Sequence, residues 1–221
     1  MANIKVINAD QLDTDMRSVA DAIRERAGTS GELVWPEGFK QGVRGIVDTF
    51  DVRVANDTPF DYTNDAVLRL PDRTFHASKI IKASFASLVN AGFGTFYACA
   101  DLIEFNAPNL KDTGGSVFYG CTALERLDFN LLRGINGTEF SGCSLLKTLV
   151  IRTPSLCPLY ATNAFNNTPI SAGTGYVYVP RSLVDSYRSA SNWSNFASRF
   201  RALEDYTVDG TTTGAIDMSK I

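Results

Sequence analysis

The sequence contains few residues whose types and spacing could form a catalytic or metal-binding site. The four cysteines are Cys99, Cys121, Cys143 and Cys157, and the first three lie 22 residues apart. A thiol beside a histidine would suit nucleophilic catalysis, and grouped thiols would suit zinc. The single histidine, His76, lies outside the cysteine run, and the sequence has no Cys-x-x-Cys pair. We therefore predict no metal site.

The shared spacing of the first three cysteines favours a structural role. Free cysteine is among the most buried residue types, so we interpret these three as small side chains inside a stack of repeats. Disulfide bonds between neighbouring repeats are the alternative. Adjacent strands of a sheet lie about 4.8 Å apart, which is within reach of a disulfide bridge.

Other catalytic patterns are incomplete. Residues 92–97 begin like a dinucleotide-binding loop but lack its third glycine, and no Gly-x-x-x-x-Gly-Lys phosphate loop occurs. A Ser-His-Asp triad would have to combine His76 with Ser78, which occupies the position of the later cysteines. Two of the 24 acidic residues could still converge as a glycosidase pair. We predict that the chain is not an enzyme and takes no cofactor.

One pattern, Phe-x-x-Cys-x-x-Leu, occurs three times, and each copy starts 22 residues after the last. The repeated core positions are Phe96, Cys99, Leu102, Phe118, Cys121, Leu124, Phe140, Cys143 and Leu146. Each copy continues in the form Leu-x-x-Leu-x-Leu. A period in the low twenties with this form is the signature of a leucine-rich solenoid, in which stacked repeats bury a shared core.

The end of each repeat predicts a short strand. Residues 105–107, 127–129 and 149–151 carry apolar residues two apart, so these side chains point to one face of an extended strand. We expect the three strands to stack in parallel with this face in the core. The side chains predicted to point outward are Glu104, Arg126, Thr148, Asn106, Asp128 and Val150.

Five residues are the candidates for partner binding. Tyr97 and Tyr119 follow the buried phenylalanines at the same position, which predicts an exposed aromatic pair that can stack on a sugar or anchor a protein interface. Glu104, Arg126 and Asp128 are charged residues of the predicted outer strand face. For the tyrosines, the alternative is a structural role in covering the connection between successive repeats.

At these residues the chain resembles the BspA-type leucine-rich repeats of bacterial surface proteins and bacteriophage structural proteins. The Phe-x-x-Cys-x-x-Leu form, with Gly120 and Gly142 before two of the cysteines, carries the resemblance. The resemblance implies an α+β solenoid with a parallel β-strand ladder. It also implies adhesion or structural roles rather than catalysis, and it names no ligand.

Around these repeats we predict four parts of the chain. They are an N-terminal helical attachment module (1–50), a repeat solenoid (51–179, with the best repeats at 96–151), a C-terminal helical cap (180–206) and a polar tail or strand donated to a neighbour (207–221). Phe75 and Phe165 open degenerate first and last repeats. Residues 19–46 resemble the N-terminal helical module of many phage and prophage tail proteins, and residues 179–194 resemble the segment that closes many proteins of this repeat family.

Charge and hydropathy exclude two classes of partner. The 21 basic and 24 acidic residues are interspersed and give a net charge of -3, so the chain has no basic face for nucleic acid. No stretch approaches the roughly 20 apolar residues of a membrane span. The N-terminus lacks the apolar run of a secretory signal, so we expect any export to use another route, such as phage lysis.

These observations predict a phage tail-associated protein, located in the virion, that recognises a host cell-surface protein or glycan through its repeats. We expect the N-terminal module to bind other virion tail proteins and the protein to form a homo-oligomer. A purely structural virion, baseplate or tail assembly protein is the first alternative. A bacterial surface adhesin is the second, although the absence of a secretory signal argues against it.

Overall fold

The computed structural model describes residues 59–221. The predicted N-terminal helical module and residues 51–58 of the predicted repeat domain lie outside the described residues. The strands of the described part are β1 (Phe60–Thr63), β2 (Arg69–Leu70), β3 (Ile80–Ser84), β4 (Asn90–Ala91), β5 (Glu104–Asn106), β6 (Asp112–Thr113), β7 (Arg126–Phe129), β8 (Thr148–Ile151), β9 (Tyr176–Val179) and β10 (Phe200–Ala202).

Parallel pairing relates residues that lie one repeat apart. In one sheet β3 lies between β1 and β5, and Ala83 pairs with Phe105. In a second sheet β7, β8, β9 and β10 are neighbours in that order, and Leu127 pairs with Leu149. The two-residue strands β2, β4 and β6 form a third parallel sheet from the second part of each repeat. The predicted parallel pairing is confirmed for 127–129 with 149–151, whereas the strand at Glu104–Asn106 pairs with β3 in a different sheet.

A column of stacked phenylalanines runs through the core. Its members are Phe75, Phe96, Phe118, Phe140 and Phe165, all with no exposed surface. Successive ring centroids lie 5.1, 5.8, 6.0 and 5.5 Å apart, and the rings are nearly parallel. The degenerate first and last repeats therefore contribute to the same column as the three regular ones, although their spacings in sequence are 21 and 25 residues.

A second column contains the cysteines, which are free thiols. The Sγ atoms of Cys99, Cys121 and Cys143 each donate to the carbonyl oxygen of the phenylalanine one repeat earlier, at 2.9, 3.1 and 2.9 Å. The thiol thus satisfies a buried backbone acceptor as well as filling space. This second role accounts for cysteine at a position where a purely apolar residue would leave the carbonyl with less hydrogen bonding.

The turn between the two columns contains a left-handed residue. The φ angle is 71° at Gly120, 80° at Gly142 and 58° at Ala98. An L-residue in this conformation costs about 1–2 kcal/mol, whereas glycine adopts it without steric cost. The glycine before the cysteine in two of the three repeats is therefore explained by backbone geometry.

Helices in the described part are short. They are α1 (Pro169–Ala172) and α2 (Val184–Ser189), with 3-10 segments at Thr162–Phe165, Arg181–Leu183, Trp193–Arg199 and Leu203–Tyr206. The segment predicted as a helical cap, 180–206, thus has low helix content and also contains β10. Its Tyr187, Trp193 and Phe200 are fully buried, and the Trp193 ring lies 5.7 Å from that of Phe165 at the end of the phenylalanine column.

Two side chains predicted to point to solvent are buried instead. Thr148 is 4% exposed and Val150 has no exposed surface. Val150 packs in a cluster with Tyr178, Leu203 and Ile216, which brings the C-terminal segment of the same chain over β8 and β9. The prediction for Thr148 and Val150 was wrong because alternation within a strand identifies its two faces but not what packs against the second one.

Candidate functional site

The side chains that point away from the core along the strands form two columns, which we call the outer strand face. In the first sheet, Asp61, Lys82 and Glu104 form one column and Thr63, Ser84 and Asn106 the other. In the second sheet, the corresponding columns are Arg126, Thr148 and Tyr176, and Asp128, Val150 and Tyr178; no strand pairing joins β5 to β7. The positions on β1, β3 and β5 form its open half, and the positions on β8 and β9 form its covered half. The strand β7 lies at the border.

The open half is polar, and its one cation, Lys82, pairs with one of its two carboxylates. Lys82 and Glu104 form an ion pair of 3.2 Å between Nζ and Oε2, and both side chains are at least half exposed. Beside them, Asn106 Nδ2 donates to Ser84 Oγ at 3.3 Å. Exposed ion pairs contribute little to stability, about 0–1 kcal/mol, so these groups are available to a partner. This half offers short donors and acceptors on a flat surface without a strong field of either sign.

At the border, Asp128 is held between two arginines. Arg126 Nη2 lies 2.9 Å from Asp128 Oδ2, while Arg152 Nε and Nη2 donate to the two oxygens of Asp128 at 2.7 and 2.8 Å. The Arg152 side chain is only 11% exposed. Its remaining donor, Nη1, bonds the carbonyl oxygens of Thr212 and Gly214 at 2.6 and 3.0 Å.

Arg152 therefore links the border of the outer strand face to the C-terminal segment. The segment predicted as a polar tail or a donated strand, 207–221, packs on its own chain, with Thr207 and Ile216 forming an antiparallel bridge. Met218 Sδ also lies 3.5 Å from Arg126 Nη1. Of the three charged candidates, Glu104 lies in the open half, whereas Arg126 and Asp128 belong to the network that holds this segment.

The tyrosine pair lies in the turns, apart from the outer strand face. The rings of Tyr97 and Tyr119 stack at 4.5 Å with an angle of 11° between planes, and His76 stacks on Tyr97 at 5.1 Å and 8°. All three are half-buried. Within the described residues, no hydrogen bond, ion pair or ring contact joins Tyr97 or Tyr119 to Glu104, Arg126 or Asp128.

Stacking changes what the tyrosines can bind. A sugar packs on a ring face, but the facing surfaces of Tyr97 and Tyr119 are occupied by each other. A partner therefore meets ring edges, phenol hydroxyls and the outer faces of the end rings. Such a surface suits hydrogen bonding and edge contacts to a protein or glycan better than the sandwich contact that the sequence suggested.

The thiols are unsuited to nucleophilic chemistry. Burial raises the pKa of Cys99 to about 11 and those of Cys143 and Cys157 to about 12, and it raises the pKa of Cys121 as well. Since the thiolate is the reactive form, these side chains stay inert near neutral pH. Across residues 59–221, no group of three or more His, Cys, Asp and Glu side chains could hold a metal ion.

Two features of the site had no signal in the sequence. Arg152 follows the last regular strand and looked like any exposed arginine, yet it connects Asp128 with a segment 60 residues later. The thiol-to-carbonyl bonds were hidden in the same way, because the cysteine period is visible but its bonding partner is not. No pattern of residue spacing in a sequence identifies a bidentate ion pair between two repeats.

The nine repeated core positions, from Phe96 to Leu146, all have no exposed surface.

No helix in residues 59–221 is long and apolar enough to span a membrane.

Comparison with protein families matches residues 68–183, just over half of the chain, to a BspA type leucine rich repeat region in six copies. No curated protein matches the chain. Among solved structures, a leucine-rich repeat protein from Bacteroides ovatus is similar, with 20% sequence identity and a TM-score of 0.45. That similarity covers 71% of this chain and 43% of the other, so the chain spans less than half the length of the Bacteroides ovatus protein.

Proposed function

Since the chain belongs to the BspA-type leucine-rich repeat family, we propose that it is a non-enzymatic phage tail-associated protein that recognises the host cell surface through its repeats. Repeat proteins of this kind serve as interaction scaffolds, in which a regular core supports a variable surface. The partner in this proposal is a host surface protein or glycan, and the protein works in the virion.

One observation carries the proposal: the open half of the outer strand face is a flat, exposed polar surface. Lys82, Ser84, Glu104 and Asn106 present both donors and acceptors there, while Ala83 and Phe105 of the same strands are buried in the core. A surface that can change without disturbing its core is suited to recognition. The tyrosine ladder of His76, Tyr97 and Tyr119 is a second candidate contact on the turn side.

The remaining parts of the proposal concern assembly. We propose that the N-terminal residues 1–50 bind other tail proteins and that the protein forms a homo-oligomer in the particle. The resemblance of residues 19–46 to phage tail modules supports this assignment. A purely structural virion, baseplate or tail assembly protein is the alternative, and in that case the outer strand face would be an assembly contact. A bacterial surface adhesin is the further alternative.

The test places bulk and charge on the open half. Phage particles carrying Ser84→Arg with Asn106→Arg should assemble normally and attach to host cells at least about tenfold less well, because two long cations would block a flat contact. The matched control is Ser191→Arg with Ser194→Arg, which adds the same charge at exposed positions of the segment 180–206. Incorporation is measured by immunoblot of purified particles and attachment by adsorption to cells.

Each outcome separates the proposals. Normal incorporation with lost attachment supports recognition by the open half. Failed incorporation of a folded variant favours the structural alternative. Normal attachment of the open-half variant, together with lost attachment of Tyr97→Ala with Tyr119→Ala, moves recognition to the tyrosine ladder. Normal behaviour of both variants contradicts recognition through either surface.

A further inference from the structure

The last regular repeat is followed by a longer one, and the extra residues create a cleft. The spacing from Phe140 to Phe165 is 25 residues, against 22 between the regular repeats. The irregular segment 153–156 forms one side of a cleft of about 280 Å³, whose other side comes from residues 131–133 and Lys111. This volume lies just below the range for small-molecule sites, about 300–1,000 Å³, and suits one sugar or one amino-acid-sized group.

Two cations meet at this cleft. Lys111 and Arg133 lie one repeat apart, and the Arg133 backbone N–H donates to the Lys111 carbonyl oxygen at 2.9 Å, so their backbones are adjacent. Like charges at neighbouring positions of a parallel ladder repel each other. No carboxylate belongs to the described lining of the cleft. Only a long, exposed pair between Arg133 and Asp112 offsets this repulsion, so an anion placed between the two cationic side chains would relieve it further.

Neither cation is committed to another partner. Arg133 forms one ion pair, with Asp112 at 3.6 Å, and both side chains are well exposed. Such a pair is worth about 0–1 kcal/mol and yields readily to a better-placed anion. Lys111 forms no ion pair within residues 59–221. The guanidinium fork of Arg133 matches the geometry of a carboxylate, and the ammonium of Lys111 adds a second charge.

Leucine side chains and two hydroxyl groups, of Thr153 and Ser155, contribute to the rest of the lining. Leu131 and Leu156 line the cleft and keep 37% and 38% of their surface exposed. Thr153 also lines it, is 6% exposed, and its Oγ1 makes no hydrogen bond within the described residues. Because this oxygen is buried, it does not face the open part of the cleft. The two leucines and the two cations are therefore the groups that a bound molecule would meet.

We propose that this cleft binds a small organic acid, whose carboxylate meets Arg133 and Lys111 and whose body packs on Leu131 and Leu156. The body is either a short apolar chain or the apolar face of a uronic sugar, since both fit the same lining. The site is separate from the outer strand face and does not depend on the proposed attachment role.

The test compares probes that differ in charge and body. The full chain is titrated with hexanoate, 1-hexanol, hexylamine and acetate, and separately with glucuronate and glucose, with binding followed by NMR chemical shifts. Hexanoate should bind at least about tenfold more tightly than acetate, 1-hexanol or hexylamine, or glucuronate should show the same margin over glucose, because a carboxylate in a charge-assisted bond is worth about 1.5–3 kcal/mol. Preferential binding of hexanoate identifies the ligand as an aliphatic acid, and preferential binding of glucuronate identifies it as a uronic sugar.

Variants test the named residues. Lys111→Gln with Arg133→Gln should weaken the preferred acid at least about tenfold, to the level of its neutral analogue. Lys147→Gln, which removes an exposed cation elsewhere, should leave binding unchanged. An unchanged thermal unfolding curve shows that the double variant is folded. Equal binding of the acid to the wild type and the double variant, or binding of neither acid by the wild type, overturns the proposal.

Discussion

The open and covered halves of the outer strand face are built on the same repeat, yet they present different chemistry. On the open half, Ser84 and Asn106 are short polar residues in contact with solvent. On the covered half, the equivalent positions carry Val150 and Tyr178, which are buried under Leu203 and Ile216. The comparison indicates that the residue type at an outward position depends on whether solvent or another segment lies above it. The residue type at an inward position depends on the repeat alone.

The difference also has an energetic consequence. An exposed β-sheet face tolerates polar substitution, because no packing is lost and water solvates the new group. A face under a second layer is a core in its own right. The halves should therefore respond differently to the same substitution, even where the backbone positions correspond one to one.

A carboxylate placed at equivalent positions separates the halves most strongly. Val150→Asp buries an unpaired charge and should lower the free energy of unfolding by at least about 4 kcal/mol. Asn106→Asp, at the corresponding strand position on the open half, should change it by less than about 0.5 kcal/mol. Urea titration of both variants measures the difference. Equal losses would mean that the C-terminal segment does not cover β8 in solution.

A natural carboxylate inside the regular repeats provides the next test. Glu139 lies at the position where earlier repeats carry Thr95 and Val117, is 1% exposed, and neither of its carboxyl oxygens has a hydrogen-bond partner within the described residues. Burial raises its pKa to about 8, while the nearby Thr113 side chain and the Val117 backbone lower it by less. The folded chain therefore keeps a proton that the unfolded chain releases above its ordinary pKa of 4.5.

Because the folded-state pKa is raised, the stabilisation is present at low pH and is lost as pH rises. The free energy of unfolding should fall between pH 4.5 and 8 by up to about 5 kcal/mol and then level off. Glu139→Gln should flatten this profile, and Glu139→Val, which copies the preceding repeat, should remove the same pH dependence. Urea titrations at several pH values measure it. A wild-type profile identical to those of the variants would show that Glu139 is solvated.

Two ion pairs compare the border with the open half. Arg152→Ala removes the bidentate pair to Asp128 and both bonds to the C-terminal segment, and it should cost about 2–3 kcal/mol. Lys82→Ala breaks the exposed pair to Glu104 and should cost under about 1 kcal/mol. Proteolysis within residues 207–221 should accelerate only in the Arg152 variant. Similar cleavage rates in both variants would remove Arg152 from the attachment of this segment.

The smallest effect on stability is expected in the turns of the regular repeats. Ala98→Gly relieves the left-handed strain at φ of 58°, and after the entropy cost of glycine in the unfolded chain it should stabilise by about 0.5–1 kcal/mol. Gly142→Ala should destabilise by about 0.5–1 kcal/mol after the same entropy term, although its new Cβ would make only ordinary contact with Gly120. Thermal unfolding compares the two variants. Opposite signs are expected, and equal signs would contradict the assigned backbone geometry.

The sequence was most informative about the inside of the repeats. The 22-residue period identified the phenylalanine and cysteine columns, because every repeat must fill the same core space. It also gave the parallel strand order, since equivalent residues must lie side by side. These properties depend on contacts between copies of one pattern, and a period makes such contacts readable.

Contacts between unlike parts of the chain were not predictable in this way. The packing of Ile216 on Val150, the bond from Arg152 to Gly214 and the cleft beside Leu156 each join a repeat to a segment without a repeat partner. Local alternation made Val150 look exposed because the partner layer lies more than 50 residues further along the chain. The tyrosine pair was visible as a spacing, but ring stacking depends on side-chain orientation that spacing does not determine.

The bond from each cysteine thiol to the phenylalanine carbonyl one repeat earlier has a consequence for how such a chain can lengthen. Every regular repeat carries one donor for the repeat before it and one acceptor for the repeat after it, so any 22-residue unit can be copied next to itself with all its bonds remade. Each duplication would move the C-terminal segment outward by one strand spacing, about 4.8 Å. Duplication of whole repeats would thus change the distance between the two ends of the protein in fixed steps. The packing of its core would stay the same.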